Sequence, residues 1–382
     1  MQKQSINLAF RKYLEICEHA RSKKMPEMHI IKRAFRLVLE VLYSLNDKTA
    51  IDKVLLNLTV ATRLIKDFDL CVSSLVCAMV YNTIRDIDFV SRIKSEISNE
   101  VATLYLRVVT LDIFISDLVS CETDKYSFNK LSNVLFADAR IILIKLLQSL
   151  LSLGNVKPNS ITAQNILIIQ IQKIYIPLAH QIGLYDLKRE LEDMYMKIVN
   201  PNKYAKLHQL IQPEISPTIL HSMIEAMCKT LSNEGLSVSI KNRHKGIYST
   251  WQKMLKQNLE YEEVYDSFGI RIIILNISIE EEKLMCWQVY KIITNMYLVN
   301  PNKARNWLEN PKKNGYQSLH LLILGENDKW MEVQIRSERM HKLAEDGDAA
   351  HWLYKNKSMH IDTYEKLFIT SLKNQLLLLK NS

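Results

Sequence analysis

The sequence is poor in the residues that break regular secondary structure. It has eight glycines and eight prolines among 382 residues, and we find no internal repeat or low-complexity tract. This composition argues against a disordered or repetitive chain. Hydrophobic residues make up 48% of the chain and charged residues 24%, a balance typical of folded, helix-rich protein. The length exceeds what one hydrophobic core usually supports, so we expect two domains.

Long apolar runs and patterned cysteines are also missing. The most apolar stretch, residues 166–179, is interrupted by Gln170, Gln172 and Lys173, so it is too polar for a membrane span. The amino terminus has no continuous signal-peptide core. The six cysteines form no C-x-x-C pair, which predicts neither a zinc knuckle nor a disulfide scaffold. We expect a cytoplasmic protein with no membrane partner.

Positive charge is in excess and partly clustered. Fifty basic residues against forty-one acidic ones leave a net charge of +9, which favours polyanionic ligands such as nucleotides or RNA. Residues 241–256 contain five lysines or arginines and no acid, across a predicted helix start. Helix amino termini and clustered cations suit phosphate chains. A solvated basic surface explains the same run, and both interpretations stay open.

Hydrophobic periodicity divides the chain into three parts. Residues 1–198 repeat apolar positions every three or four residues, which predicts a helical domain. Residues 199–357 alternate helical segments with β-branched runs, which predicts a mixed sheet flanked by helices, an α + α/β architecture for the whole chain. Residues 358–382 predict an amphipathic helix. The predicted strands are 236–240, 269–275, 318–324 and 330–336.

Two acidic residues on separate predicted strands are candidates for a metal site. Alternation places Glu332 and Gln334 on the polar face of the last strand, and Asp266 precedes an apolar strand. If these strands are neighbours, the two carboxylates converge and offer the oxygen ligands that Mg²⁺ prefers. A turn aspartate and a solvated strand face are the alternatives. Tyr316 follows an Asn-Gly turn, where an aromatic ring either stacks on a base or packs.

Five motifs in this half of the chain resemble the synthetase domain of the RelA/SpoT family, and the resemblance begins near residue 178. The motifs are R-x-K-x-I-Y-S-x-x-x-K-M (243–254), Y-D-x-x-x-I-R (265–271), P-K-x-N-G-Y-Q-S-L-H (311–320), E-V-Q-I-R (332–336) and M-H-x-x-A-E-x-G-x-A-A-H-W-x-Y-K (340–355). The resemblance implies a nucleotidyltransferase-like fold. It also implies transfer of pyrophosphate from ATP to the 3′-hydroxyl of GDP or GTP, which makes the alarmone (p)ppGpp.

The resemblance assigns roles to fourteen residues of this sequence. Asp266 and Glu332 are expected to bind Mg²⁺, with Glu332 also as the base that accepts the hydroxyl proton. The expected ATP-binding residues are Arg243, Lys245, Ser249, Lys253 and Arg271, with the two arginines on either side of adenine. The expected GDP- or GTP-binding residues are Tyr316, which stacks on guanine, and Arg305, Lys312, Asn314, His320, Gln334 and His341.

The sequence departs from the family pattern at two places in this domain. Gly246 stands where histidine is usual. Residues 303–306 read Lys-Ala-Arg-Asn, which is closest to the R-x-K-D motif of the family but ends in Asn306. These departures leave the choice between GDP and GTP open.

The helical domain resembles the Mn²⁺-dependent hydrolase domain of the same family, with its metal ligands replaced. The His-Asp pair reads as Tyr81-Asn82, the first histidine falls near Leu56 or Asn57, the catalytic Glu-Asp reads as Arg85-Asp86, and Asp138 alone matches a ligand. A divalent site needs several such ligands together, so we expect no hydrolase activity and a role as scaffold or regulator. The chain ends about 27 residues after the last motif, so tRNA or ribosome sensing is not expected.

Other functions remain compatible with these residues. Pyrophosphate transfer to an adenine nucleotide or to the 3′ end of tRNA, as a growth-arresting toxin, uses the same chemistry. A catalytically silent, nucleotide-binding regulator is an alternative from another class. A homo-oligomer is compatible with either function.

Overall fold

The structure, a computed structural model, divides the chain into two compact units. Residues 1–182 with 360–382 form the first, and residues 183–359 form the second. No helix in the described part of the chain is both long and apolar enough to cross a membrane. The described residues are 2–45, 48–81, 87–120, 138–155, 161–211, 217–265, 268–313, 315–325, 329–345, 371–372, 374–376 and 378.

The first unit is helical throughout its described residues, as the periodicity predicts. All nine residues of α4 are buried, and this helix packs against α2, α3 and α6. A helix that is apolar all round belongs in the interior of a bundle. The helices are α1 (Gln2–Ser22), α2 (Met28–Leu45), α3 (Lys48–Phe68), α4 (Val72–Val80), α5 (Ile87–Arg92), α6 (Asn99–Ser120), α7 (Ala139–Asn155), α8 (Ile161–Gln170) and α9 (Ile176–Gln181), with π turns at Ile93–Ile97 and Ile171–Tyr175.

The second unit begins at Gly183, whereas the change of sequence pattern predicts a domain boundary at residue 199. The helices Tyr185–Val199 and Pro201–Ile211 lie on either side of that position, and both pack on the helix Ile247–Gln257. Met196 and Leu207 share a buried cluster with Ile247 and Met254. Periodicity shows that a segment is helical but not which neighbour covers its apolar side. The helices of this unit are α10 (Tyr185–Val199), α11 (Pro201–Ile211), α12 (Pro217–Asn233), α13 (Ile247–Gln257), α14 (Glu282–Met296) and α15 (Glu338–Glu345).

A five-stranded mixed sheet forms the centre of the second unit. Its order is β1-β2-β5-β4-β3, and only the β2–β5 pair is parallel. The apolar side of β2, β4 and β5 joins residues of α12 and α14 in one buried core. The polar side is left for the candidate site. The strands are β1 (Val238–His244), β2 (Phe268–Ile274), β3 (Arg305–Asn306), β4 (Leu319–Leu324) and β5 (Trp330–Ser337).

The strand predictions differ from the structure mainly at β1 and β3. The strand predicted at 236–240 runs instead from Val238 to His244, so it includes polar residues that resemble a loop. Antiparallel pairing with β2 over seven residues supplies the hydrogen bonds that keep this segment extended. The two-residue β3 has no periodicity to predict it.

The amphipathic helix predicted for residues 358–382 lies mostly outside the described residues. Residues 371–372 and 374–376 are helical, and Leu372 and Leu376 are buried. The side chain of Gln375 accepts a hydrogen bond of 3.0 Å from the backbone N–H of Ala139, at the start of α7. The full helix stays a prediction.

Candidate active site

A row of polar residues crosses all five strands on one face of the sheet. Lys241 of β1 pairs with Arg271 of β2, which pairs with Gln334 of β5. Gln334 also faces His320 of β4, and His320 faces Arg305 of β3. Paired residues on neighbouring strands project to the same face. The sheet therefore gathers four predicted site residues and Lys241 into one line.

Glu332 lies on the same face of β5 as Gln334, and two hydrogen-bond donors hold its carboxylate. His320 Nδ1 lies 3.0 Å from Oε1, and Gln334 Nε2 donates to Oε2 at 2.8 Å. The hydroxyl of Tyr316 lies 2.9 Å from His320 Nε2. A neutral imidazole that donates from Nδ1 accepts the phenolic proton at Nε2. These four predicted site residues thus form one hydrogen-bonded chain.

Basic side chains line the cavity that contains Glu332. The cavity has a volume of about 190 Å³, and Lys253, Lys303 and Arg305 are part of its wall. The ammonium of Lys303 lies 5.5 Å from the ring centroid of Tyr265, within range of a cation–π contact. Glu263 is a second carboxylate in this wall, so the three cations still outnumber the acidic side chains. An excess of cations suits a ligand that carries several phosphates.

The second predicted carboxylate, Asp266, lies outside the described residues. Its neighbour β2 is paired in parallel with β5, and Gly269 is opposite Glu332. Among the described residues, no group of three His, Cys, Asp or Glu side chains could hold a metal ion. Mg²⁺ is often bound by only one or two carboxylates together with substrate phosphates. The Glu332 carboxylate supplies the hard oxygen atoms that Mg²⁺ prefers, so it fits one ligand of such an ion.

Gly269 allows β2 to approach Glu332 closely. A Cβ atom at this position would lie 2.7 Å from the carbonyl oxygen of Glu332 and 3.6 Å from its Cβ. The first distance is shorter than real Cβ contacts allow, and the obstructing atom belongs to the backbone. The strand pair therefore requires glycine opposite the candidate catalytic residue.

Two carboxylates of α10 accept hydrogen bonds from the start of α13. The residues predicted to bind the ATP phosphates lie in and just before this helix. Tyr248 donates its backbone N–H to Asp193 Oδ1 at 2.9 Å, and Ser249 Oγ donates to Glu192 Oε2 at 3.3 Å. Burial raises the pKa of Asp193 above its ordinary value, and the hydrogen bonds from N–H groups at the helix start offset only part of this rise. Ser249 is therefore engaged by Glu192 in this structure. Lys253 lines the cavity of Glu332.

Gly246 explains how α10 reaches this helix start. A Cβ atom on Gly246 would lie 2.8 Å from Cγ of Arg189 and 3.2 Å from Oδ1 of Asp193. The usual histidine of the family would therefore require these two side chains to move. Lys245, the residue before it, is half-buried. The departure at Gly246 thus accompanies close packing between α10 and α13.

Glu345 of α15 bridges two arginines at the other end of the polar row. Its Oε1 lies 3.2 Å from Arg271 Nη1 and 3.2 Å from Nη2 of the buried Arg336. Burial, with the nearby Arg336, lowers the pKa of His341 to about 4, and Glu345 opposes the shift. His341 is therefore neutral near pH 7. Arg243 lies opposite Gly269 in the β1–β2 register.

The predicted acceptor loop contains a turn between Lys312 and Gly315. Gly315 has φ of +76° and donates its N–H to the carbonyl of Lys312 at 2.8 Å. Lys312 donates its own N–H to the carbonyl of Tyr316 at 3.2 Å, and its ammonium lies 4.9 Å from the Tyr316 ring centroid. Asn314 lies outside the described residues. The loop thus brings Lys312 and Tyr316 into contact.

Part of the second unit matches a known family. Residues 242–359 match the model described as "Region found in RelA / SpoT proteins". We call residues 242–359 the RelA/SpoT region, after the model that they match. This region begins at the fifth residue of β1 and extends past the end of α15. It contains all fourteen residues with predicted roles.

Curated relatives of the RelA/SpoT region are named as pyrophosphokinases. The chain is 34% identical over 220 residues to "Probable GTP diphosphokinase RSH2, chloroplastic" of Oryza sativa subsp. japonica, across 57% of this chain and 30% of the relative. It is 32% identical over 250 residues to "GTP pyrophosphokinase" of Escherichia coli (strain K12), across 63% of this chain and 33% of the relative. The chain thus spans about a third of the length of these relatives.

A solved structure that this chain resembles is more distant in sequence. The small alarmone synthetase 1 of Bacillus subtilis, bound to its product pppGpp, shares 17% identity with this chain. The alignment covers 49% of this chain and 93% of that structure, with a TM-score of 0.29.

Three residues of the RelA/SpoT region that lie at or near the site were missed by the site predictions. Gly269 is a glycine inside an apolar strand, which signals close backbone approach. Lys303 reaches the cavity of Glu332 from the segment before β3. Trp307 contacts Lys312 through its ring, with the two centres 4.7 Å apart. The sequence gives no signal for the last two contacts because both depend on how loops fold.

In the first unit, a cation contacts Asp138, the residue predicted to match a hydrolase metal ligand. Nε and Nη2 of Arg140 donate to the carboxylate of Asp138, the latter at 2.6 Å. Asn57 is buried and donates to the backbone carbonyls of Met79 and Tyr81. Asn82, Arg85 and Asp86 lie outside the described residues. Among the described positions, Asn57 is hydrogen-bonded to the backbone and Asp138 is paired with Arg140.

Proposed function

We propose that the RelA/SpoT region transfers pyrophosphate from ATP to the 3′-hydroxyl of GDP or GTP. The observation that carries this proposal is the Glu332 carboxylate, held by His320 and Gln334 beside three cations. Phosphoryl transfer is mostly positioning and charge neutralisation, and this arrangement supplies both. The names of the curated relatives support the same reaction.

Glu332 is the proposed general base. Its hydrogen bonds to His320 and Gln334 orient the carboxylate, which is the group that would accept the proton of the acceptor hydroxyl. Lys253, Lys303 and Arg305 would neutralise the phosphates in the same cavity. Mg²⁺ held by Asp266 and Glu332 would supply charge neutralisation on the transferred group.

The remaining predicted residues bind the two nucleotides in this proposal. Arg243 and Arg271 would hold adenine, and Lys245 and Ser249 would contact the ATP phosphates. Ser249 must exchange its hydrogen bond to Glu192 for one to phosphate. The proposed acceptor residues are Tyr316, Arg305, Lys312, Asn314, His320, Gln334 and His341.

The test is a product assay with the full chain, Mg²⁺ and ATP labelled on the β-phosphate. GDP, GTP, AMP, ATP and tRNA are offered separately as acceptors, and products are resolved by thin-layer chromatography. We expect label in ppGpp or pppGpp. Label in an adenine nucleotide that carries a new 3′-pyrophosphate, or in tRNA, would establish the alternative acceptor instead. Binding without any transfer would establish a silent regulator.

We propose that the first unit has no pyrophosphate hydrolase activity. The contacts of Asp138 with Arg140 support this, because a guanidinium beside the carboxylate opposes a divalent cation there. The test is incubation of the full chain with ppGpp and Mn²⁺, followed by measurement of released pyrophosphate. We expect release no faster than in a protein-free control, and faster release would contradict the proposal.

A further inference from the structure

Trp307 is anchored by the backbone next to the proposed acceptor loop. Asn306 Oδ1 accepts the backbone N–H groups of Leu308 and Glu309, each at 3.1 Å. Trp307 itself donates its backbone N–H to the carbonyl of Ser318 at 3.0 Å. These hydrogen bonds hold the backbone at Trp307 beside the loop that carries Tyr316. The side chain is half-buried and its indole Nε1 is enclosed, which limits the rotamers open to the ring.

The ammonium of Lys312 lies over two aromatic rings at once. Its Nζ is 4.7 Å from the ring centroid of Trp307 and 4.9 Å from that of Tyr316. Both distances are within the roughly 6 Å range of cation–π attraction, and indole is the strongest of the natural partners. Lysine otherwise has a flexible four-carbon stem and loses much rotamer freedom when it is held. Two rings that fix the ammonium before the ligand arrives reduce that cost.

The contact of Trp307 is made with its ring face, not with its N–H group. The indole Nε1 is buried and makes no hydrogen bond to any residue that the structure describes. Trp307 therefore differs from Tyr316, whose hydroxyl forms a hydrogen bond with His320. Phenylalanine keeps a ring face at position 307, whereas leucine does not. The two substitutions separate the ring from the rest of the side chain.

We propose that Trp307 is a positioning residue of the acceptor site, which holds the Lys312 ammonium in place for the phosphates of a purine nucleoside di- or triphosphate. This inference rests on the proposed function, because Lys312 is assigned to the acceptor there. Trp307 acts through Lys312 and does not itself contact the reacting atoms. Its loss weakens acceptor binding and leaves ATP binding unchanged.

The test compares Trp307→Leu and Trp307→Phe with the unaltered full chain, using GDP as the acceptor. Kd for GDP is measured by calorimetry, and KM for GDP and for ATP by initial rates. We expect Trp307→Leu to raise Kd and KM for GDP roughly 3- to 30-fold, the range of a cation–π contact. Trp307→Phe has a smaller effect. KM for ATP stays within about twofold, whereas general loss of structure would raise both KM values.

A double-substitution cycle tests whether Trp307 works through Lys312. In a Lys312→Met background, Trp307→Leu should change Kd for GDP by less than about twofold, because the ammonium is already gone. The matched control is Trp287→Leu on α14, where an indole 38% exposed packs on Tyr290 at 5.1 Å. We expect that control to leave Kd for GDP unchanged.

The outcomes separate this inference from the proposed function. An unchanged Kd for GDP in Trp307→Leu, or equal effects of Trp307→Leu with and without Lys312, overturns the role of Trp307 only. Binding of GDP that depends on Trp307 but gives no product overturns the proposed reaction only. A full chain that binds neither GDP nor GTP overturns both.

Discussion

His320 Nδ1 and Glu332 Oε1 lie 3.0 Å apart across neighbouring strands, and this contact organises the proposed catalytic carboxylate. The register places Glu332 opposite Leu322, two residues along β4 from His320. The contact is therefore diagonal, which is within reach of these long side chains. It links the proposed base to the acceptor loop, because His320 also contacts Tyr316.

Glu332→Gln should abolish most of the transfer reaction and leave the fold intact. The amide keeps the size of the carboxylate but cannot accept a proton, so we expect kcat to fall roughly 10²- to 10⁴-fold. Initial rates with ATP and GDP measure the effect. The control is Glu338→Gln, on an exposed carboxylate paired with Lys342 at the start of α15, which should retain the activity. Full activity in Glu332→Gln would rule out Glu332 as the base.

Tyr316→Phe should separate the stacking role of the ring from its hydrogen bond to His320. The phenyl ring still stacks on a base, but Nε2 of His320 loses its 2.9 Å partner. We expect kcat to fall roughly 2- to 10-fold, the equivalent of one neutral hydrogen bond, with KM for GDP nearly unchanged. Tyr316→Leu should raise KM for GDP as well. Equal KM values for the two variants would argue against stacking.

Gly269→Ala should destabilise the second unit. The new methyl would lie 2.7 Å from the Glu332 carbonyl oxygen, so β2 and β5 must move apart. We expect the free energy of unfolding to fall by about 1–3 kcal/mol, measured by urea denaturation. Gly325→Ala is the matched control, because its methyl would meet the Lys329 carbonyl oxygen at 3.4 Å, an ordinary contact. Equal effects of the two substitutions would show that the close approach is unimportant.

His341 should make the folded state less stable in acid. Burial lowers its pKa from 6.5 to about 4 in the folded chain, so between these values the unfolded chain binds more protons. Stability is then lost as the pH falls from about 6.5 towards 4. His341→Asn should reduce the slope of unfolding free energy against pH in this window. The control His221→Asn removes an exposed histidine and tests whether the change of slope is specific to position 341. An unchanged slope in His341→Asn would contradict the lowered pKa.

The sequence alone indicated the two architectures and much of the polar face. Period-two alternation placed Glu332 and Gln334 on one side of β5, and the structure has both there. The helical first unit followed from apolar spacing. These features depend on neighbouring residues of one segment, so local periodicity is sufficient to predict them. The motifs added a prediction of which distant residues share one site.

Only the tertiary structure decided which segments lie side by side. The order β1-β2-β5-β4-β3 puts Lys241 in line with Arg305, 64 positions further along the chain. It also brings the Trp307 ring under Lys312 and α10 onto the start of α13. Such contacts depend on strand order, loop geometry and the packing of one apolar surface on another. None of these leaves a periodic signal within the segments concerned, so the sequence determined the elements and their polar faces, while the folded chain determined their partners.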